Sequence, residues 1–160
     1  MNGQEILDTK EKITDEAVEA SNVKLIKKGT FLLSFKLSIG KTAMAGCDLY
    51  TNEAIAAIIP NNPKLLKPKY LFYLFKAKII DLQNVDAKSF GRSVNSTFLR
   101  NNIKIPLPPT EVQDEIIRKC QTIDEEYTSI RMTLDEYNSK IQMLFSSLDV
   151  AKVGGGKTTW

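Results

Sequence analysis

The sequence contains no histidine, two cysteines and a single tryptophan. Without histidine, a Ser-His-Asp arrangement, an imidazole general base and histidine-ligated metals are excluded. Cys47 and Cys120 lie in unlike settings with no metal-ligand spacing, so neither a metal site nor a disulfide between them is expected. No apolar run reaches the roughly 18 residues of a membrane span, and the opening MNGQEILDTKEK is too polar for a signal peptide. The expectation is a soluble, cytoplasmic, non-enzymatic chain without a cofactor.

Two motifs fall short of the chemistry they resemble. AKVGGGKTT, residues 151–159, has the look of a phosphate-binding loop. Ala151 stands where its first glycine should be, and too few residues follow to form the helix such a loop opens. Asn62 and Pro63 precede Lys64 rather than the proline and aromatic typical of adenine methyltransferases.

What is present is a sharp partition of charge. Residues 1–19 carry a net -4, residues 20–104 a net +10 and residues 105–150 a net -5, all concealed within an overall +3. Positive charge gathered in one globular segment beside an acidic rod suits a surface for nucleic acid or an acidic partner. Ordinary solvated lysines and an acidic helix kept soluble are the plainer explanation.

Apolar residues recur with four-three spacing at Ile116, Cys120, Ile123, Tyr127, Ile130, Leu134, Tyr137, Ile141, Leu144 and Leu148. This pattern predicts one long helix from about Glu111 to Val150, roughly 60 Å at 1.5 Å per residue, with a coiled-coil seam. Pro108 and Pro109 end the strand before it, and Thr110 with Gln113 would form a capping box at its start. The seam calls for a partner helix; its alternative is packing of the helix onto its own lobe. Tyr127 and Tyr137 argue against a tight parallel zipper, because their rings need room and their hydroxyls need partners.

Ahead of that helix the pattern is mixed. Thr14 would cap a short helix within 13–22, and TFLLSFK at 30–36 predicts a mostly buried strand. KTAMAG and NEAIAAIIP predict two more strands around a turn at Gly46 to Asp48. Pro68 opens a helix to about residue 82 with Leu71, Leu74, Phe75 and Ile79 on one face. KSFGRSVNS at 88–96 is a polar loop, followed by a short turn around Phe98 and Leu99 and the strand IKIPLP. The fold class is α+β: a small mixed lobe at 1–107, a long spacer helix at 108–150 and a flexible tail at 151–160.

The succession GTFLLSFKLSIGK, TNEAIAAI and FLRNNIKIPLPPTEVQDEI, followed by the heptad helix, resembles the specificity subunit of type I restriction-modification systems. It is similar to the later part of a target-recognition domain with its spacer helix, and the likeness is most specific at PLPPTEVQ. Recognition domains of that family open on a Trp-containing segment that residues 1–107 lack, which implies a recognition domain without its front part. The resemblance further implies a non-catalytic reader of double-stranded DNA that docks a methyltransferase (modification) subunit, with the restriction subunit a further candidate partner. Two copies paired as an antiparallel homodimer through the seam would rebuild the family's two-domain layout and read a split palindrome.

In that setting Lys36, Lys41, Lys64, Lys67 and Lys69 are candidates for phosphate contact. Arg92, Ser93, Asn95 and Arg100 suit base edges, because arginine can bond guanine at two points and asparagine can do so with adenine. Two other readings stand beside this one. The chain could be a coiled-coil assembly module that binds partner subunits without reading DNA, or the recognition piece of a fused restriction-methylation enzyme.

Overall fold

The computed structural model describes residues 3–9, 11–36, 38–82, 96–130 and 133–148 of the 160-residue chain, with the side chains of Ser96, Phe98, Arg100 and Ile130 outside that description. The α+β class holds, with a small sheet backed by helices.

Four strands, β1 (Glu5–Ile6), β2 (Phe31–Ser34), β3 (Thr42–Ala45) and β4 (Ile55–Ile58), form a sheet in the order β1-β3-β2-β4. The two strands predicted after β2 flank it: Phe31 lies opposite Met44 on one side and Ile58 on the other, both antiparallel. All four residues of β2 are buried, as befits a central strand covered on both faces. Alternation divides them, with Phe31 and Leu33 in the main core and Leu32 in a smaller cluster with Ile26, Ala43 and Ala45. The sequence gives no warning of β1, which pairs parallel with β3 through only two residues. Its close approach favours a glycine at 46, where an added Cβ would fall 3.0 Å from the carbonyl oxygen of Ile6 and 2.6 Å from Leu7 Cδ2, the end of an exposed side chain.

Helix α1 (Asp15–Glu19) forms where expected, the Ala17 N–H donating to Thr14 Oγ1 at 3.2 Å. Helix α2 (Pro68–Lys76) begins on the expected proline but stops at Ala77, before Lys78 at φ 55°, rather than at 82. Six consecutive residues, Tyr70 to Phe75, are buried, so α2 is apolar on all sides rather than along one stripe. Phe31 packs on Phe72 and Phe75 from the sheet, and Phe145 packs on Tyr70 from the opposite side. Helix α3 (Ser96–Asn102) occupies the stretch expected to be a turn. The IKIPLP stretch is not a strand of the four-stranded sheet; it buries Ile103 and Ile105 and accepts a hydrogen bond from Tyr70 Oη at the Pro106 carbonyl, 3.1 Å.

The single helix expected at 111–150 is two: α4 (Thr110–Ile130) and α5 (Leu134–Ser147). Thr133 is extended at φ -66° and ψ 156°, and it forms a reciprocal capping box with Glu136, so a new helix starts there. α5 turns back along α4: Tyr127 packs against Tyr137 with tilted rings and 5.2 Å between centroids, and Lys140 pairs with Glu126 at 3.0 Å. The other expected box, Thr110 with Gln113, does not form. Thr110 Oγ1 bonds Glu111 Oε1 at 3.3 Å, while Gln113 turns into the core. One apolar core joins sheet, α2, α4 and α5. Among the described residues no helix is long and apolar enough to cross a membrane, no group of three or more metal-ligating side chains occurs, and Cys47 and Cys120 are free thiols.

Candidate nucleic-acid interface

The basic candidates separate along the direction of α2. Ser34 lies opposite Ile55 and Phe31 opposite Ile58, so the 35–41 turn and residue 53 share one end of the sheet while the 59–67 segment leaves from the other. α2 then runs back across, roughly 13 Å at 1.5 Å per residue over its nine residues. At the first end, exposed Lys36 lies 3.9 Å from the Glu53 carboxylate. Exposed Lys41 lines a recess of about 150 Å³ with Lys78, Phe75 and Leu82. Leu82 is the last described residue before 83–95, so Arg92, Ser93 and Asn95 lie outside the described residues, as does the side chain of Arg100 in α3.

At the other end stand Lys64, Lys67 and Lys69. Asn62 shapes this turn, its Oδ1 accepting from the Lys64 N–H at 3.0 Å and its carbonyl from the N–H groups of Leu65 and Leu66. Lys64 is exposed and Lys69 half-buried, whereas the Lys67 ammonium is paired with Asp114 at the start of α4. Lys67 is therefore the weakest of the five lysines as a phosphate contact, because a phosphate would have to displace a carboxylate.

Two polar clusters that the sequence did not disclose fasten α4 to α2. Near the α2 N-terminus Gln113, with no exposed surface, accepts from the Lys67 N–H at 3.0 Å and donates to the carbonyls of Leu65 at 2.7 Å and Pro108 at 2.9 Å. Near the C-terminus Asp124 accepts from Tyr73 Oη at 2.7 Å, from Tyr137 Oη and from Lys76 Nζ at 2.9 Å. The same ammonium sits 4.7 Å from the Tyr137 ring centroid and 5.1 Å from that of Phe72, a cation over aromatic faces. Burial, then the bond to Asp124, pushes the Tyr73 and Tyr137 hydroxyls well above the ordinary phenol range; burial alone does so at Tyr70. The Cys120 thiol is pushed up to about 12 by burial, reinforced by Asp124. All these groups are protonated at neutral pH, which makes them donors and packing surface rather than nucleophiles.

This second cluster floors a cleft of about 540 Å³ between α2, α4 and β1, whose lining includes Lys69, Gln121 and Glu125. The charges facing it are mixed, so it is a poor anion channel. As for the seam, Ile116, Cys120, Tyr137, Ile141 and Leu144 are buried in the chain's own core, against which Ile123, Tyr127 and Leu148 pack partly buried. Leu134, beside the break, is 62% exposed, and the Ile130 side chain lies outside the described residues.

A family model described as the type I restriction modification DNA specificity domain matches residues 1–136, ending within the first turn of α5. The chain is also similar to the type I restriction enzyme MjaIX specificity subunit of Methanocaldococcus jannaschii. The two are 31% identical over 115 residues, which is 71% of this chain but 26% of that relative.

Proposed function

The chain belongs to the type I restriction-modification DNA specificity family, and on that premise we propose that it binds double-stranded DNA sequence-specifically as a single, non-catalytic recognition lobe. The family match over residues 1–136 carries the proposal. Supporting it are the net +10 of residues 20–104 and the placement of exposed lysines at both ends of α2, where they can grip phosphates on either side of a groove. Lys36, Lys41, Lys64 and Lys69 serve that role, Lys78 joins Lys41, and Arg92, Ser93, Asn95 and Arg100 read bases.

The helical part joins lobe to partners. A methyltransferase subunit, and through it a restriction subunit, supplies the chemistry in the cytoplasm. Pairing of two copies through the seam requires α5 to come away from α4, because Ile116, Cys120, Tyr137 and Ile141 are filled from within the chain. In the sequence the heptad register continues unbroken from α4 into α5, so an opened helix would present the seam whole.

Selection of bound duplexes from a random pool at near-physiological salt tests this reading. Enrichment of one sequence supports recognition by a single lobe, and two inverted copies at a fixed gap support pairing as well. A pool that stays random removes DNA reading and leaves the assembly-module reading, which the exposed Leu134 and Met143 on α5 favour.

A further inference from the structure

We infer that Gln113 is a positioning residue for DNA binding, an amide latch that sets the basic 64–69 segment in a fixed orientation on the spacer helix α4. The inference rests on the proposed DNA reading and extends it to a residue that touches no DNA.

The segment between β4 and α2 has no regular secondary structure, yet from Lys64 to Lys67 each backbone N–H is held. From within, Asn62 takes the N–H groups of Lys64, Leu65 and Leu66. From outside, Gln113 takes the next N–H, that of Lys67, and gives hydrogen bonds to the carbonyls of Leu65 and Pro108. Lys67 is the N-cap of α2 and has no side-chain cap of its own, so the latch also sets where α2 begins. One side chain thus ties together three stretches: the lysine-bearing turn, the PLPP entry and the first turn of α4.

Donor and acceptor are matched in a way only an amide provides. Oε1 faces an N–H and Nε2 faces two carbonyls, at distances of 2.7 to 3.0 Å and with no exposed surface. A glutamate of the same shape would turn a carboxylate oxygen toward the carbonyls of Leu65 and Pro108 and lose both bonds. Beside the latch, on the solvent side, the Lys67–Asp114 ion pair links the same two segments, with Asp114 59% exposed. The buried amide fixes the geometry and the outer pair reinforces it. Lys64 and Lys69 gain a defined direction relative to α4, a requirement for a lobe that must hold its phosphate contacts in register along a spacer.

The test is a salt titration of duplex binding by the full chain, using the duplex recovered by selection. Lys64→Ala with Lys69→Ala is expected to weaken binding and lower the slope of log K against log salt by about 0.9 for each phosphate no longer neutralised. Gln113→Glu is expected to weaken binding about tenfold and lower the slope by the same amount, and adding the two lysine substitutions to it changes little further. Lys36→Ala with Lys41→Ala, at the far end of α2, adds its full effect in either background. Should Gln113→Glu fail to fold, Gln113→Met decides, since it removes the same hydrogen bonds without altering charge, with a loss that is likewise non-additive with the lysines. An unchanged slope in both variants, or full additivity with Lys64 and Lys69, overturns the latch while leaving DNA reading intact. Lysine substitutions without effect remove the strip and the latch together, and a wild-type chain that binds no duplex removes the reading beneath them.

Discussion

At the N-terminal end of α2 a neutral amide fastens α4, and at the C-terminal end a carboxylate does. Gln113 answers backbone groups with hydrogen bonds and adds no charge to the core. Asp124 gathers two phenols and an ammonium that is 14% exposed. The first cluster is saturated by shape and indifferent to pH; the second depends on protonated phenols and on a half-buried ion pair whose members are each costly alone. Different failures follow when each is broken.

The largest effect is expected at the charged end. Asp124→Ala leaves Lys76 and the Tyr73 and Tyr137 hydroxyls without their common acceptor, and about 3 kcal/mol of stability should disappear. Urea unfolding measures it; a loss no larger than that of an exposed ion pair, below about 1 kcal/mol, would show that the cluster is wet and loosely held. Gln113→Ala should cost about 2 kcal/mol, because it strands two carbonyls and one N–H in a site without solvent.

Alkaline titration separates the two ends more sharply. The thiol of Cys120 and the hydroxyls of Tyr70, Tyr73 and Tyr137 all have raised pKa values in the folded chain. From about pH 9 to 10 upward the unfolded chain releases these protons while the folded chain keeps them. The native state then binds more protons than the unfolded one, so stability falls as pH rises, by about 1.4 kcal/mol per pH unit for each group fully affected. Below pH 9 this contribution is fully present; for Cys120 the loss continues to about pH 12, where the folded thiol itself titrates. Tyr137→Phe should flatten the decline, and Gln113→Ala should shift the curve without changing its slope. Equal slopes in all three proteins would break the distinction between the ends.

The smallest effect belongs to the break between α4 and α5. Thr133→Ala removes one arm of the capping box and should cost about 1 kcal/mol, read as faster amide exchange in the first turn of α5. Unchanged exchange would mean that packing of Tyr137 and Ile141, not the cap, holds the start of that helix.

How much of this was legible in the sequence varied with the range of the forces involved. α1 and the start of α2 were readable because Thr14 and Pro68 act locally on the backbone, and β2 because TFLLSFK is mostly apolar. β1 was not, since two residues carry no period and their pairing depends on the space Gly46 leaves. The division of the long helix was missed although Thr133-x-x-Glu136 is a helix-start signature lying in the middle of the seam. Its heptad register runs unbroken across residues 131–133, and periodicity alone cannot tell a rod from a helix folded back on itself. Gln113 looked like a capping partner for Thr110, yet its amide bonds groups 46 and 48 residues away. Charge counting placed the lysines in one basic segment of the sequence. It could not reveal that Lys67 is paired with Asp114, or that Lys78 joins Lys41 in one recess.

The most direct measurement of the central claim is the affinity ratio between the selected duplex and a scrambled one of equal length, taken by competition at near-physiological salt. A sequence-reading lobe predicts a ratio of about a thousandfold or more. Equal affinities would mean that the +10 segment attracts phosphates without reading bases, and would contradict the assignment of recognition to this chain.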